Sequence, residues 1–254
     1  MAAVLTHYII AELYNKKYKS YKEDDLIAFL IGSIAADAPR SQGKDERGRV
    51  QTHFGVSRDP EVFGDESCNL RGSVLNLKAF LEKYGNKLNN PFFEGYLLHL
   101  WADKLWFSEL VMDIYDKHAK EIKPGAKSAK DIPFKYAYAW YIRKGNMYHT
   151  FDIHDVHLYP LINNKHIEDL TKYNVEECPI EELDKSELQK MIAGFMEKYN
   201  NLKDKELDYN DIPLISMERM NIFFDKCIEE VNKYINDNIW LNLKKLGQNL
   251  KYLI

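Results

Sequence analysis

The stretch Gly95-Tyr96-Leu97-Leu98-His99-Leu100-Trp101-Ala102-Asp103-Lys104-Leu105-Trp106 most constrains what this chain can become. Tyr96, His99, Asp103, Trp106 and Leu110 recur at steps of three and four, so they share one face of a helix. That face is otherwise apolar and belongs in an interior. An imidazole and a carboxylate one turn apart in aromatic surroundings need partners, because an unpaired buried charge costs several kcal/mol or shifts its pKa until it is neutral. A metal ion bound by both meets that need; so does a His bonded to a backbone carbonyl, or a closed His–Asp pair.

Other imidazoles and carboxylates stand at similar places along the chain. From Ala3 to about Lys17, Val4, His7, Tyr8 and Ala11 share a helical face, which turns His7 inward. A second helix from Glu23 to about Ala36 carries Leu26, Phe29, Leu30 and Ser33 inside, with Asp37 at its end and Pro39 stopping it. A carboxylate there opposes the helix dipole unless a cation offsets it. Residues 38–72 lose all periodicity, and a loop this long is functional or disordered. Within it, Val50-Gln51-Thr52-His53-Phe54-Gly55 alone brings apolar groups and an imidazole together, and His53 is read either as surface or as part of a site. Leu75, Leu77, Phe80, Leu81 and Tyr84 then mark a helix from about Ser73 to Gly85, and Asn90-Pro91 reads as the cap and first turn of the helix bearing His99.

Beyond that helix, Glu109, Asp113, Asp116 and His118 read as a solvated flank, and Pro124-Gly125 as a turn. An aromatic helix follows from Asp131 to about Arg143 with Phe134, Tyr138 and Tyr141 on one side. Three histidines (His149, His154, His157) and two aspartates (Asp152, Asp155) then fall within nine residues, which points to a second cluster. Helices from about Ser186 to Tyr199 and from Ile215 toward the C-terminus use Met217, Met220, Ile222, Phe223, Cys227, Val231 and Ile235 as core. Strand-type alternation is missing. The expected fold is all-α, one multi-helix bundle of about seven to nine helices, with residues 1–165 as a metal-binding core and 166–254 packed on it as part of the same domain.

Composition narrows the function. At 254 residues the chain can bury a sizeable core, and a formal charge of −4 with a pI near 6.1 gives no general case for nucleic acid or an anionic membrane. The 3 cysteines lack metal-type spacing, which fits a reducing interior. No stretch reaches the roughly 18 apolar residues of a membrane span. The first 17 residues lack the marks of a signal peptide, so a cytoplasmic protein is expected. Glycine-rich phosphate loops, Gly-x-Ser-x-Gly, Cys-x-x-Cys and internal repeats are all absent from the sequence.

His7, Asp37, His53, His99 and Asp103 together are imidazoles and carboxylates from three helices and one loop. Such a set suits zinc or another first-row divalent ion better than calcium or magnesium, which prefer oxygen shells. Five ligands exceed one tetrahedral site, and a bridging Asp103 would let them serve two ions. The order Thr6-His7, Gly32-Ser33-Ile34-Ala35-Ala36-Asp37, Thr52-His53-Phe54, then Gly95-Tyr96-Leu97-Leu98-His99-Leu100-Trp101-Ala102-Asp103 resembles the bacterial zinc-dependent phospholipase C family, related to the S1/P1 nucleases. The resemblance covers roughly the first 110 residues and is most specific at His-x-x-x-Asp.

That resemblance implies an all-α enzyme with a zinc cluster that hydrolyses phosphate esters, small ones or phospholipids. By it, His53, His99, Asp37 and Asp103 would hold one ion, and His7 with Asp103 would contribute to a neighbour. The family's next histidine is missing, with Trp106 and Glu109 in its region. Its later His-x-x-x-Glu pair has only His149-x-x-Asp152 as counterpart, a candidate second site. One or two ions are therefore expected. Asp37 could alternatively serve as general base, and Arg40, Arg47 and Arg49 on the adjoining loop could clamp phosphate oxygens with their guanidinium forks. Two alternatives remain: an HD-type phosphohydrolase, for which only His154-Asp155 offers the adjacent pair, and a non-catalytic helical protein with a structural or lost metal.

Overall fold

A computed structural model of the chain describes residues 3–38, 51–54, 75–141, 143, 147–205 and 213–250, excepting the side chains of 134, 135, 138 and 238–250. Among these residues the fold is all-α, as its periodicity requires, and holds no strand. Helix α1 (Val4–Tyr14) runs on into a π-helical turn (Asn15–Lys19), and the left-handed Ser20 (φ 63°) ends it. Helix α2 (Glu23–Ala35) follows, its first turn carrying Glu23, Asp24 and Asp25 where the dipole favours acids. Helix α3 (Leu77–Tyr84) is capped by Asn76, whose side chain accepts from Ala79 N at 3.1 Å. Helix α4 (Pro91–Leu105) opens as its sequence demands: Asn90 accepts from Phe92 N at 2.9 Å and Pro91 fills the first position, where no N–H is missed.

A second π-helical turn (Trp106–Val111) joins α4 to α5 (Met112–Lys117), with α6 (Ala119–Ile122), α7 (Phe134–Tyr141) and α8 (Met147–Leu158) beyond it. Helices α9 (Asn164–Asp169), α10 (Lys185–Leu202) and α11 (Met217–Leu250) complete the chain. The eleven described helices exceed the seven to nine expected. The surplus lies in α5, α6 and α9, of 6, 4 and 6 residues, too short for a 3.6-residue period to register. Helix α7 starts three residues later than expected, after Pro133. Ile222, expected in the core, is 62% exposed: it lies opposite the stripe of Met220, Phe223, Phe224, Cys227, Val231 and Ile235 that α11 does bury.

Helices α2 and α4 form the closest packing. A Cβ on Gly32 would sit 2.1 Å from the carbonyl oxygen of Phe92, and one on Gly95 would sit 2.1 Å from that of Phe29. Two glycines thus let backbone meet backbone. The pair runs in the same sense, because Tyr21 meets Glu94 at one end and Ser33 meets His99 further along. Helix α1 runs against both and brings its buried Tyr8 onto Phe195 of α10. Trp106 packs on Phe223 of α11, and Trp101 donates its indole N–H to Glu230 at 2.9 Å, so the C-terminal helices lie on the core. No described helix is long and apolar enough to cross a membrane.

Candidate metal centre

Where α1, the ends of α2 and α4, and the segment 51–54 meet, His7, Asp37, His53, His99 and Asp103 converge, each no more than 3% exposed. Two overlapping triads bring one ligating atom per residue within 4.8 Å of one another: His7, His99 and Asp103, and Asp37, His53 and His99. Helix α4 supplies His99 and Asp103 from consecutive turns. Helix α2 delivers Asp37 just past its C-terminus, and the close α2–α4 approach is what brings it into range.

Second partners fix the rings. His99 Nδ1 lies 2.8 Å from the carbonyl oxygen of Ser33. A carbonyl only accepts, so Nδ1 carries the proton and Nε2 of the neutral ring presents a lone pair to the site. The Thr52 hydroxyl donates to the Ala36 carbonyl at 2.7 Å, leaving its oxygen to accept from His53 Nδ1 at 3.3 Å. His53 Nε2 therefore points inward, toward His99 Nε2 and Asp103. Tyr96 donates to the Thr52 carbonyl at 2.5 Å and Asn76 N to the His53 carbonyl at 3.0 Å, which pins the segment that carries His53.

The two inward nitrogens, His53 Nε2 and His99 Nε2, are 3.4 Å apart. Two nitrogens facing each other at that distance need a proton or a metal cation between them. His7 stacks on His99 with centroids 3.7 Å apart and planes at 15°. Its Nε2 is 3.3 Å from Asp103 Oδ1, and neither of its ring nitrogens has an aligned hydrogen-bond partner. Asp103 Oδ2 is 3.2 Å from His53 Nε2 and 3.9 Å from His99 Nε2, while Asp37 Oδ1 is 3.8 Å from His53 Nε2. Burial, with His7 beside it, pushes the His99 imidazole down to about 3, so the ring is neutral at pH 7. Burial works to raise the Asp103 carboxyl, but the adjacent His53 and His7 outweigh it and hold the group well below the usual carboxylate range.

This donor set could hold a metal ion. Zn–N bonds of about 2.0–2.1 Å at the tetrahedral angle put neighbouring ligand atoms about 3.3–3.4 Å apart. The His53–His99 and His7–Asp103 spacings match that edge. The nitrogens of His7, which lack an aligned hydrogen bond, and the facing nitrogens of His53 and His99 are what an ion would satisfy.

The second cluster behaves differently. His149 is half-buried and Asp152 exposed on α8, and neither joins a triad of metal-ligating atoms among the described residues. His154, wholly buried, lies with Nε2 2.7 Å from the Ile215 carbonyl oxygen; Asp155 pairs with Lys198, and His157 is exposed. Arg40, Arg47 and Arg49 lie outside the described residues. Sequence reasoning passed over Thr52 as the residue orienting His53, although it stands directly before it. Comparison of the chain with protein-family models, with curated proteins and with solved structures gives no match.

Proposed function

We propose that the cage of His7, Asp37, His53, His99 and Asp103 holds a first-row divalent cation, zinc by preference, and that the protein is a metal-dependent hydrolase of phosphate esters. One observation carries the reading: imidazole nitrogens of His53 and His99, anchored by their second partners, face each other 3.4 Å apart beside two carboxylates in a fully buried interior. The reaction class follows from the resemblance to the zinc-dependent phospholipase C family, whose ligand order these residues repeat. A bound ion supplies Lewis acidity, lowering the pKa of water from 15.7 toward about 7 and polarising a phosphoryl oxygen.

The chain's own groups would do the rest. Asp103, with one oxygen toward His7 and the other toward His53, can serve two ions at once. Ser33 and Thr52 keep His99 and His53 in the ligating tautomer. Asp37 is the carboxylate assigned either to ligation or to receiving a proton from attacking water.

Elemental analysis of protein purified without added metal should find about one or two zinc equivalents. Hydrolysis of a generic phosphodiester and of a phosphomonoester then separates an enzyme from a protein with a purely structural ion. His99→Ala should lose metal and hydrolysis together. Loss of hydrolysis at full metal content would contradict a ligand role for His99.

A further inference from the structure

Glu94 is 1% exposed, yet three donors from another part of the chain converge on its carboxylate. Tyr14 donates its hydroxyl to Oε1 at 2.8 Å, Tyr21 donates to Oε2 at 2.5 Å, and Lys19 Nζ lies 2.8 Å from Oε1. A buried carboxylate so fully satisfied holds its partners firmly. The π-helical turn Asn15–Lys19 makes the arrangement reachable. In an α-helix a five-residue step would place Tyr14 and Lys19 about 140° apart, whereas the i→i+5 pitch of a π turn returns them to one side. Asn15 then closes the loop, accepting from Tyr21 N at 2.7 Å.

The clamp and the cage are two contact points on the same pair of antiparallel helices. His7 and Tyr14 are seven residues apart on α1, which at 1.5 Å per residue is about 10.5 Å. On α4, Glu94 precedes residue 101, midway between His99 and Asp103, by the same seven residues. When Glu94 grips Tyr14, His7 is delivered level with His99 and Asp103. A slip of one residue would displace it by about 1.5 Å, against a ligand tolerance of about 0.2 Å.

We propose that Glu94 is a positioning residue for the cage: by clamping Tyr14, Lys19 and Tyr21 it sets the register of α1 on α4, and that register brings His7 onto His99 and Asp103. The consequence for metal binding rests on the function proposed above, whereas the register itself does not. The full-length protein is compared with Glu94→Leu and Glu94→Gln, with folding followed by circular dichroism. The first readout is proton NMR of the imidazoles without metal. Stacked at 3.7 Å, His7 and His99 lie in each other's ring current, so both should move toward free-imidazole positions in Glu94→Leu while His154 stays in place.

The second readout is zinc affinity by chelator competition. It should fall about 10- to 100-fold in Glu94→Leu and less in Glu94→Gln, whose amide oxygen still accepts from Tyr14. Tyr14→Phe, which removes one donor only, should move the same resonances and serves if the leucine variant does not fold. Unchanged His7 and His99 resonances in a folded variant overturn the assignment. A wild-type protein that binds no zinc defeats the metal reading alone, because the resonances decide the register without an ion.

Discussion

Gly95→Ala tests the packing that assembles the cage. Its new Cβ would lie 2.1 Å from the Phe29 carbonyl oxygen and 3.0 Å from Ser33 N, both backbone atoms of α2 that no rotamer change can clear. Ordinary contact begins at 3.4 Å, so the helices must separate by roughly an ångström. Strain of this kind costs about 1–3 kcal/mol. The same movement stretches the 2.8 Å bond from His99 Nδ1 to the Ser33 carbonyl beyond hydrogen-bonding range. Stranding that buried N–H costs roughly a further 1–3 kcal/mol. Alanine's better helix propensity returns up to about 1 kcal/mol. The net expectation is a loss near 3 kcal/mol, a fall in Tm of the order of 10 °C for a chain of this size.

Gly194→Ala is the matched control. A Cβ there meets nothing within 4 Å in the middle of α10, so propensity acts alone and stabilises by up to about 1 kcal/mol. Urea unfolding followed by circular dichroism measures both changes. Equal signs for the two substitutions, or a Gly95→Ala protein as stable as wild type, would refute the claim that backbone contact at this glycine sets the α2–α4 spacing.

Three further outcomes are expected. Thr52→Val keeps the shape of the side chain but removes the acceptor for His53 Nδ1; zinc affinity by chelator competition should fall about 10- to 100-fold with the helical content unchanged. Added zinc should raise Tm and a chelator should lower it, since an ion at 100 times its Kd stabilises by about 2.7 kcal/mol, and a Tm indifferent to both would count against the cage. Burial holds the His154 imidazole below its usual pKa, so the unfolded chain takes up the proton more readily; the stability this contributes is present above about pH 6.5 and is lost as the pH falls below it. His154→Gln should therefore lose less stability than wild type between pH 7 and pH 5, measured by urea unfolding.

Local signals carried most of the fold and the nucleus of the site. Asn90-Pro91 announces α4 because a cap and a donor-free first residue are properties of adjacent positions. His99 and Asp103 read as a pair because a four-residue step fixes a shared face whatever surrounds it. The cluster at 149–157 shows the same rule in reverse. At 100° per residue, His149, Asp152, His154, Asp155 and His157 spread around the whole circumference of α8, and among the described residues His149 and Asp152 join no triad of metal-ligating atoms.

Glu94 shows the other limit. Nothing in Phe92-Phe93-Glu94-Gly95 tells that the carboxylate is buried, because its partners Tyr14, Lys19 and Tyr21 reach it only across a π-helical turn that no simple period encodes. Candidate ligands can be read from residue type and spacing. The residues that hold ligands in register act through distances between helices, and those distances are set here by two glycines and a buried carboxylate.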